Sequence, residues 1–278
     1  MIDELRVKPG SRVRLANVKA DATLGWEKDA AKEQFRKELV RLDVLQSRLW
    51  AEGTRSVLLV LQAMDAAGKD GTIRSIFTGV NPAGVRVTSF KAPVGAEREH
   101  DYLWRVHQQV PAKGEIGIFN RSHYEDVLVV RVKNFAPKSV WSKRYEHIRN
   151  FEQQLVDEGT AIVKVYLNIS YEEQGRRLQD RIDDPDEQWK ANAGDLDDRK
   201  LWPDFMAAYQ DALSKTSTQA APWYVVPADR KWVRNLAIAK ILVSTLEKMR
   251  PKLPAPDPSI IGLKVDGVET DAAEPASS

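Results

Sequence analysis

Residues 62–72 read Gln-Ala-Met-Asp-Ala-Ala-Gly-Lys-Asp-Gly-Thr. A loop of small residues that ends in Gly-Lys and opens a helix can cradle phosphate. Successive backbone N–H groups and the helix N-terminus hold the oxygens, and the lysine supplies a mobile positive charge. Ala66, Ala67, Gly68, Lys69, Asp70, Gly71 and Thr72 are the candidates for that role. The match to G-x-x-x-x-G-K-[ST] is imperfect, because Ala63 replaces the first glycine and Asp70 stands where a magnesium-binding hydroxyl is usual. Asp65, inside the cradle, is the more informative departure. Two like unit charges about 4 Å apart repel by roughly 4 kcal/mol at an effective dielectric of 20. A carboxylate is tolerable there when a cation lies between it and the phosphate, and magnesium takes one or two carboxylates plus phosphate oxygens. Asp65 is therefore the first candidate metal ligand. The competing reading is a plain strand–turn–helix connection with Gly68 as the turn residue.

A second cluster, residues 116–126, reads Ile-Gly-Ile-Phe-Asn-Arg-Ser-His-Tyr-Glu-Asp, an apolar strand ending in polar residues. Ligands of open α/β sheets bind outside the carboxyl ends of strands, so Asn120 and Arg121 would emerge beside the phosphate loop. An arginine there can neutralise transferring phosphoryl oxygens, while Glu125 or Asp126 could reach metal, metal-bound water or acceptor. The bland alternative is a surface ion pair between Arg121 and Glu125. A third cluster holds Arg176, Arg177 and Arg181. Arg177 and Arg181 share a helix face and could clamp a polyanion, or simply pair with Glu173, Asp180 or Asp184.

These groups need a frame that brings three separated segments to one edge of a sheet. Short continuous apolar runs at 57–61, 85–90, 116–119, 161–167 and 223–226 predict strands buried on both faces. Between them the period is helical. From Asp29 onward Phe35, Leu39, Leu42, Leu45 and Leu49 make one apolar face, and 139–156 and 231–249 follow the same rule. The alternation predicts an α/β fold with a central parallel sheet. Ser170-Tyr171-Glu172-Glu173 reads as a capping box, with the Ser170 hydroxyl accepting from the Glu173 amide and Glu173 reaching back. The segment that follows, 172–200, holds ten acidic and six basic residues, too polar to bury much surface. It reads as a lid over about 170–200. Residues 1–28 read as an arm, 29–250 as the core with its lid, and 251–278 as a flexible tail whose Ile260, Ile261 and Leu263 could dock on a neighbour.

Composition bounds the partners. The 278 residues are 42% hydrophobic and 29% charged, ordinary for one large α/β domain or two small ones. Without cysteine there is no disulfide framework, thiolate metal site or cysteine nucleophile. No apolar run approaches the roughly 20 residues of a membrane helix. The opening MIDELRVKPG lacks the apolar core of a signal peptide, so a cytoplasmic protein without a membrane partner is expected. Net charge is only +2, but residues 84–149 carry 12 Lys/Arg against 7 Asp/Glu and all four histidines, whereas 251–278 carry 2 against 5. An anionic partner is expected on the middle of the chain, unless the excess is a solvated surface. Eight tryptophans show none of the aromatic–basic interleaving of RNA-binding modules, so no nucleic acid is expected. Trp50, Trp104, Trp141, Trp202, Trp223 and Trp232 read as core. Trp189, on the lid, could lean on a base or pack the lid shut.

Four motifs taken together resemble the family-2 polyphosphate kinases: MDAAGKDGTI, VTSFKAP at 87–93, IFNRSHYEDVLV, and RRLQDRIDDPDEQWK at 176–190. They stand in that family's order and span roughly residues 57–238. The resemblance implies a P-loop kinase core, a three-layer sandwich like that of thymidylate kinases, with a helical lid. It implies magnesium-dependent phosphoryl transfer between inorganic polyphosphate and AMP or ADP, giving ADP and ATP. By the same resemblance Asp65 matches the loop aspartate that holds metal and Lys69 the loop lysine. Arg121 matches the arginine after the second strand, and Arg181 a lid arginine that meets phosphate. Lys91 lies in an FKxP stretch whose basic residue faces the polyphosphate channel. Many members carry Asp where this chain has Asn120, and Asn-Arg where it has Glu125-Asp126; the SHYED form resembles the branch that accepts both AMP and ADP. Acceptor phosphates have a pKa near 6 and are already ionised near neutral pH, so no strong base is needed. Arg121, Arg177 and Arg181 would stabilise the transferring group. A homo-oligomer is expected by analogy with the family, through apolar faces of the arm and the last helix. Two other readings share the loop: an ATP-dependent kinase of nucleotides or small molecules, and a non-catalytic P-loop regulator.

Overall fold

The computed structural model describes residues 2–265; the remainder of the expected tail, 266–278, lies outside them. Five strands form one sheet: β1 (Ser56–Gln62), β2 (Val85–Ser89), β3 (Ile116–Asn120), β4 (Thr160–Asn168) and β5 (Trp223–Pro227), in the order β2-β3-β1-β4-β5. Every neighbouring pair is parallel, with Leu61 of β1 beside Asn120 of β3 and Val165 of β4. All seven residues of β1 are buried, because both faces of a central parallel strand are covered. That is the physical reason its apolar run is unbroken.

The helices are α1 (Lys28–Glu52), α2 (Lys69–Phe77), α3 (Trp104–His107), α4 (Val129–Val132), α5 (Lys138–Asp157), α6 (Tyr171–Asp183), α7 (Ala193–Lys200), α8 (Trp202–Thr216) and α9 (Lys231–Met249). Successive strand residues point to opposite faces. On β4, Lys164 meets Glu152 of α5 and the Tyr166 ring lies 4.5 Å from that of Tyr209 on α8. The opposite face is left to α9, which packs along α1 and carries α2 on its flank. This is the three-layer α/β arrangement expected from the sequence.

Three expectations are corrected. The arm does not turn an apolar face outward. Arg6 bridges antiparallel to Tyr224, Val7 N–H donates to Trp223 O at 2.8 Å, and Leu5, Val7 and Leu15 are buried. The unpaired edge of β5 explains this, since it offers hydrogen bonds to any extended segment that reaches it. The last helix does not present its apolar face outward: Leu236, Ile238, Ile241, Leu242 and Leu246 are all in the core. Of the tryptophans read as core, Trp223 is buried at 2% exposure, but Trp50 and Trp104 are 43% and 36% exposed. Ile260, Ile261 and Leu263 are exposed, and no described helix is long and apolar enough to cross a membrane.

Leu42, fully buried on α1, is a direct test of this packing. Leu42→Ala should cost about 2–5 kcal/mol of stability, read as a lower denaturation midpoint with an unchanged m value. A loss below about 1 kcal/mol would contradict the packing of α1 on the core.

Candidate active site

β1 stops at Gln62, and residues 63–68 turn the chain into α2, which begins at Lys69. Gly68 has φ +102°, and a Cβ on it would lie 2.0 Å from Arg234 Nη1, so only glycine fits. Ala66 is left-handed too, at φ 61°, a strain that non-glycine residues carry mainly where the surroundings fix them. The turn aims the first amides of α2 outward, as a phosphate cradle requires.

β3 delivers the second cluster alongside. Asn120 Nδ2 donates to Asp70 Oδ1 at 2.6 Å, so two departures from the usual pattern form one pair. A second carboxylate at position 120 would repel Asp70; an amide satisfies it. Arg121, at φ 62°, turns back over the loop and donates from Nη2 to Asp65 Oδ1 at 2.5 Å. Lys69 Nζ lies 3.9 Å from the same oxygen and donates to Ala63 O at 3.1 Å. Burial opposes charge on Asp65, but Lys69 and Arg121 prevail and hold its carboxyl below the usual range. Burial pushes the Lys69 ammonium down, with Asp65 opposing.

These groups open onto a cleft of about 800 Å³ lined by nine basic and six acidic side chains. Asp65, Ala66, Gly68, Lys69, Asp70, Gly71, Lys91, Asn120, Arg121, Arg177 and Arg181 all line it. The lid helices α6 and α7 supply one wall, where Arg181 Nη1 stands 4.0 Å from Asp195 Oδ2. The start of α9 supplies another, with Lys231, Arg234 and Asn235. Asp195, Lys231, Arg234 and Asn235 were not singled out from the sequence. α9 follows β5 at the same carboxyl edge of the sheet, and that position was the available signal.

Other expected site residues lie elsewhere. Arg177 does touch the cleft, but its guanidinium is tied down on every side. It bonds Ala66 O, Ala67 O, Ala228 O, Asp229 O and the Glu173 carboxylate at 2.7–3.3 Å. It braces the loop, and Arg234 joins it through Nη1 to Ala67 O at 3.1 Å. Ala67 is fully buried. Thr72 is too, and its hydroxyl donates back to Gly68 O at 3.0 Å. Glu125 sits behind Arg121, its Oε2 3.6 Å from Nη1, and burial raises its carboxyl despite Arg121 and Lys69. Asp126 points away to Arg144 at 2.7 Å; burial lifts its carboxyl to about 6. Asp126 is thus engaged away from Asp65, whereas Glu125 shares the Arg121 guanidinium with it. Glu173 reaches forward to Arg176 and Arg177 and leaves the Ser170 N–H to Asp229 Oδ1, so only the Ser170 half of the capping box forms. Of the 12 basic residues in 84–149, Lys91 and Arg121 alone line the cleft; the lid and α9 provide most of the rest.

Among the described residues no three His, Asp or Glu side chains gather into a metal cage. Asp65 offers a single carboxylate beside the loop. That donor set fits a divalent cation carried largely by phosphate oxygens, which needs only one or two protein carboxylates.

Asp195 gives a pH test of the lid wall. Burial, with Asp65 adding repulsion, lifts its carboxyl from 3.8 to about 6. The folded state then binds this proton more tightly than the unfolded state, so the contribution is present below about pH 4 and lost as pH rises through about 6. Asp195→Asn removes that loss. In metal-free buffer the Tm difference, variant minus wild type, should be larger at pH 7 than at pH 4.5; equal differences would contradict the buried carboxylate pair.

Comparison with known proteins shows the family. The family described as Polyphosphate kinase 2 (PPK2) matches residues 25–254. The AMP/ADP-polyphosphate phosphotransferase of Meiothermus ruber is 56% identical over 91% of this chain and 95% of its own. The ADP-polyphosphate phosphotransferase of Rhodopseudomonas palustris is 43% identical over 92% and 93%. The crystal structure of polyphosphate kinase 2 from Arthrobacter aurescens superposes with a TM-score of 0.87 at 44% identity, covering 90% of this chain and 91% of that one. On its sequence, its parallel sheet and its phosphate loop alike, the chain belongs to the polyphosphate kinase 2 family.

Proposed function

We propose that this kinase transfers a phosphoryl group, reversibly, between inorganic polyphosphate and AMP or ADP, giving ADP or ATP. One observation carries the reading: a carboxylate, Asp65, held between Lys69 and Arg121 on the floor of a phosphate cradle. The names of the Meiothermus and Rhodopseudomonas relatives support the donor and the acceptors. Repelling anions must be brought together, which is the task the cleft is charged for. The loop amides and Lys69 hold one phosphate group. Arg121 and Arg181 neutralise oxygens of the group in transit, and Lys91 at the cleft rim guides the polyphosphate chain. Arg177 and Arg234 keep the loop in shape. The acceptor oxygen is already ionised near neutral pH, so no side chain needs to act as base. Asp65 is the residue that would hold magnesium, which when bound neutralises phosphoryl oxygens. We also read the protein as a cytoplasmic homo-oligomer; exposed Val40 and Val44, one turn apart on α1, support an apolar contact there.

Incubating AMP, polyphosphate and magnesium without ATP should yield ADP and ATP. Product that forms only when ATP is supplied would replace this reading with an ATP-dependent kinase, and none in either case with a nucleotide-binding regulator. Lys69→Ala should lower kcat about a hundredfold or more with the fold intact by circular dichroism. Chelation should abolish wild-type turnover reversibly, and Asp65→Asn should raise the magnesium concentration needed for half-maximal rate; turnover indifferent to the chelator would remove the metal role.

A further inference from the structure

Behind the cleft, on the far side of the segment that carries Arg121 and Glu125, lies a cluster of polar groups with no access to solvent. Lys164 of β4, Glu152 of α5, Tyr124 and Thr216 are each at most 1% exposed. The Lys164 ammonium has three donors and three acceptors: Glu152 Oε2 at 2.5 Å, Tyr124 Oη at 2.9 Å and Thr216 O at 2.8 Å. The Tyr124 hydroxyl in turn donates to Glu152 Oε1 at 2.8 Å, and His123 Nε2 lies 3.4 Å from that same oxygen. Nothing in the phosphoryl-transfer scheme above uses these groups.

Their energetics argue that they do more than add stability. Taking an ammonium and a carboxylate out of water carries a desolvation penalty, and well-packed apolar residues of similar volume often do as well or better. What such a pair supplies is direction, because each donor has one geometry that satisfies it. The direction matters at this place. Arg121 is held at φ 62°, a left-handed conformation that a non-glycine residue keeps only where its surroundings impose it. On its N-terminal side the sheet fixes it, through Arg121 N–H to Leu61 O at 3.1 Å. On its C-terminal side Ser122 is fully buried and its Oγ accepts from Tyr124 N–H at 3.2 Å, and Tyr124 is fixed by the cluster. Glu125, the next residue, meets Arg121 from behind. One tyrosine therefore separates a buried ion pair from Arg121, which holds Asp65, and from Glu125, which meets Arg121.

We infer that Lys164 and Glu152 are positioning residues: through Tyr124 they hold the Arg121–Glu125 segment in the strained conformation that sets the Arg121 guanidinium over Asp65. The inference rests on the proposed function for its kinetic readout, but its geometric content stands apart from any substrate.

The test is the paired variant Glu152→Leu with Lys164→Met, which removes both charges together and leaves neither unpaired. Tyr124→Phe, which removes only the hydroxyl, keeps the test open should the pair not fold. Both should retain the fold. With both substrates saturating and well below the melting temperature, kcat should fall about tenfold to a hundredfold, the scale of an ångström-sized misplacement, while KM for AMP stays within about twofold. A crystal structure of the variant should show Arg121 displaced from Asp65. A purely structural cluster predicts instead a lowered Tm, an unchanged kcat and Arg121 in place, and that result overturns the inference. Should the wild type prove inactive with polyphosphate, the proposed function fails alone, and the position of Arg121 in the variant crystals still decides this one.

Discussion

The site turns on one carboxylate placed where only anions are meant to bind. Asp65 sits on the floor of the cradle with Arg121 at 2.5 Å and Lys69 at 3.9 Å from the same oxygen. In the free protein these two cations more than offset its charge, so the loop can fold without a bound ion. When phosphate enters, Lys69 and Arg121 must serve two masters, the carboxylate and the substrate, and the balance of charge becomes negative. On the proposed reading a substrate-borne divalent cation would restore it. The triangle that steadies the unliganded loop would then also set its need for metal. Removing either cation would disturb both states at once.

Around that triangle the fold arranges layers of support. Arg177 and Arg234 bind loop carbonyls from below, and Gly68 exists to let Arg234 approach. Two guanidiniums side by side, buried and facing backbone oxygens, are unfavourable on their own. Burial, with Arg177 adding repulsion, lowers Arg234 to about 10, still charged at neutral pH. That positive density beneath the loop reinforces the amide dipoles aimed at the phosphate above it. An arginine need not touch substrate to favour an anion in this cleft.

Much of this was legible in the sequence because the relevant signals are local. Buried parallel strands must be apolar on both faces, so their runs stand out, and all five were found within a residue or two of their ends. The loop and the strand-end arginine were also visible, since residue type and position at a strand terminus determine where they emerge. What was not legible depended on long-range packing. Nothing in the spacing of Arg177 and Arg181 tells which of two neighbours on a helix turns inward; only the carbonyls of residues 66, 67, 228 and 229 decide it. Asp126 was indistinguishable from Glu125 by type, yet a one-residue step on a tight turn sends it to Arg144. The excess of basic charge in 84–149 misled for a related reason. Charge counted along a chain says nothing of how many of those side chains share a wall, and here the lid and α9 bring most of the cleft's cations from outside that stretch.

The pairing of Asn120 with Asp70 shows how departures from a pattern can be read jointly. Taken singly, an aspartate after the loop lysine and an amide at the strand end each weaken the match to a phosphate-binding loop. Taken together they form a 2.6 Å hydrogen bond across the mouth of the cradle. Two carboxylates at that distance could not both be ionised without a cation between them. The amide occupies Asp70 Oδ1 and ties the end of β3 to the first turn of α2. An Asp at position 120 would instead set a second carboxylate against Asp70 where this chain has a strut.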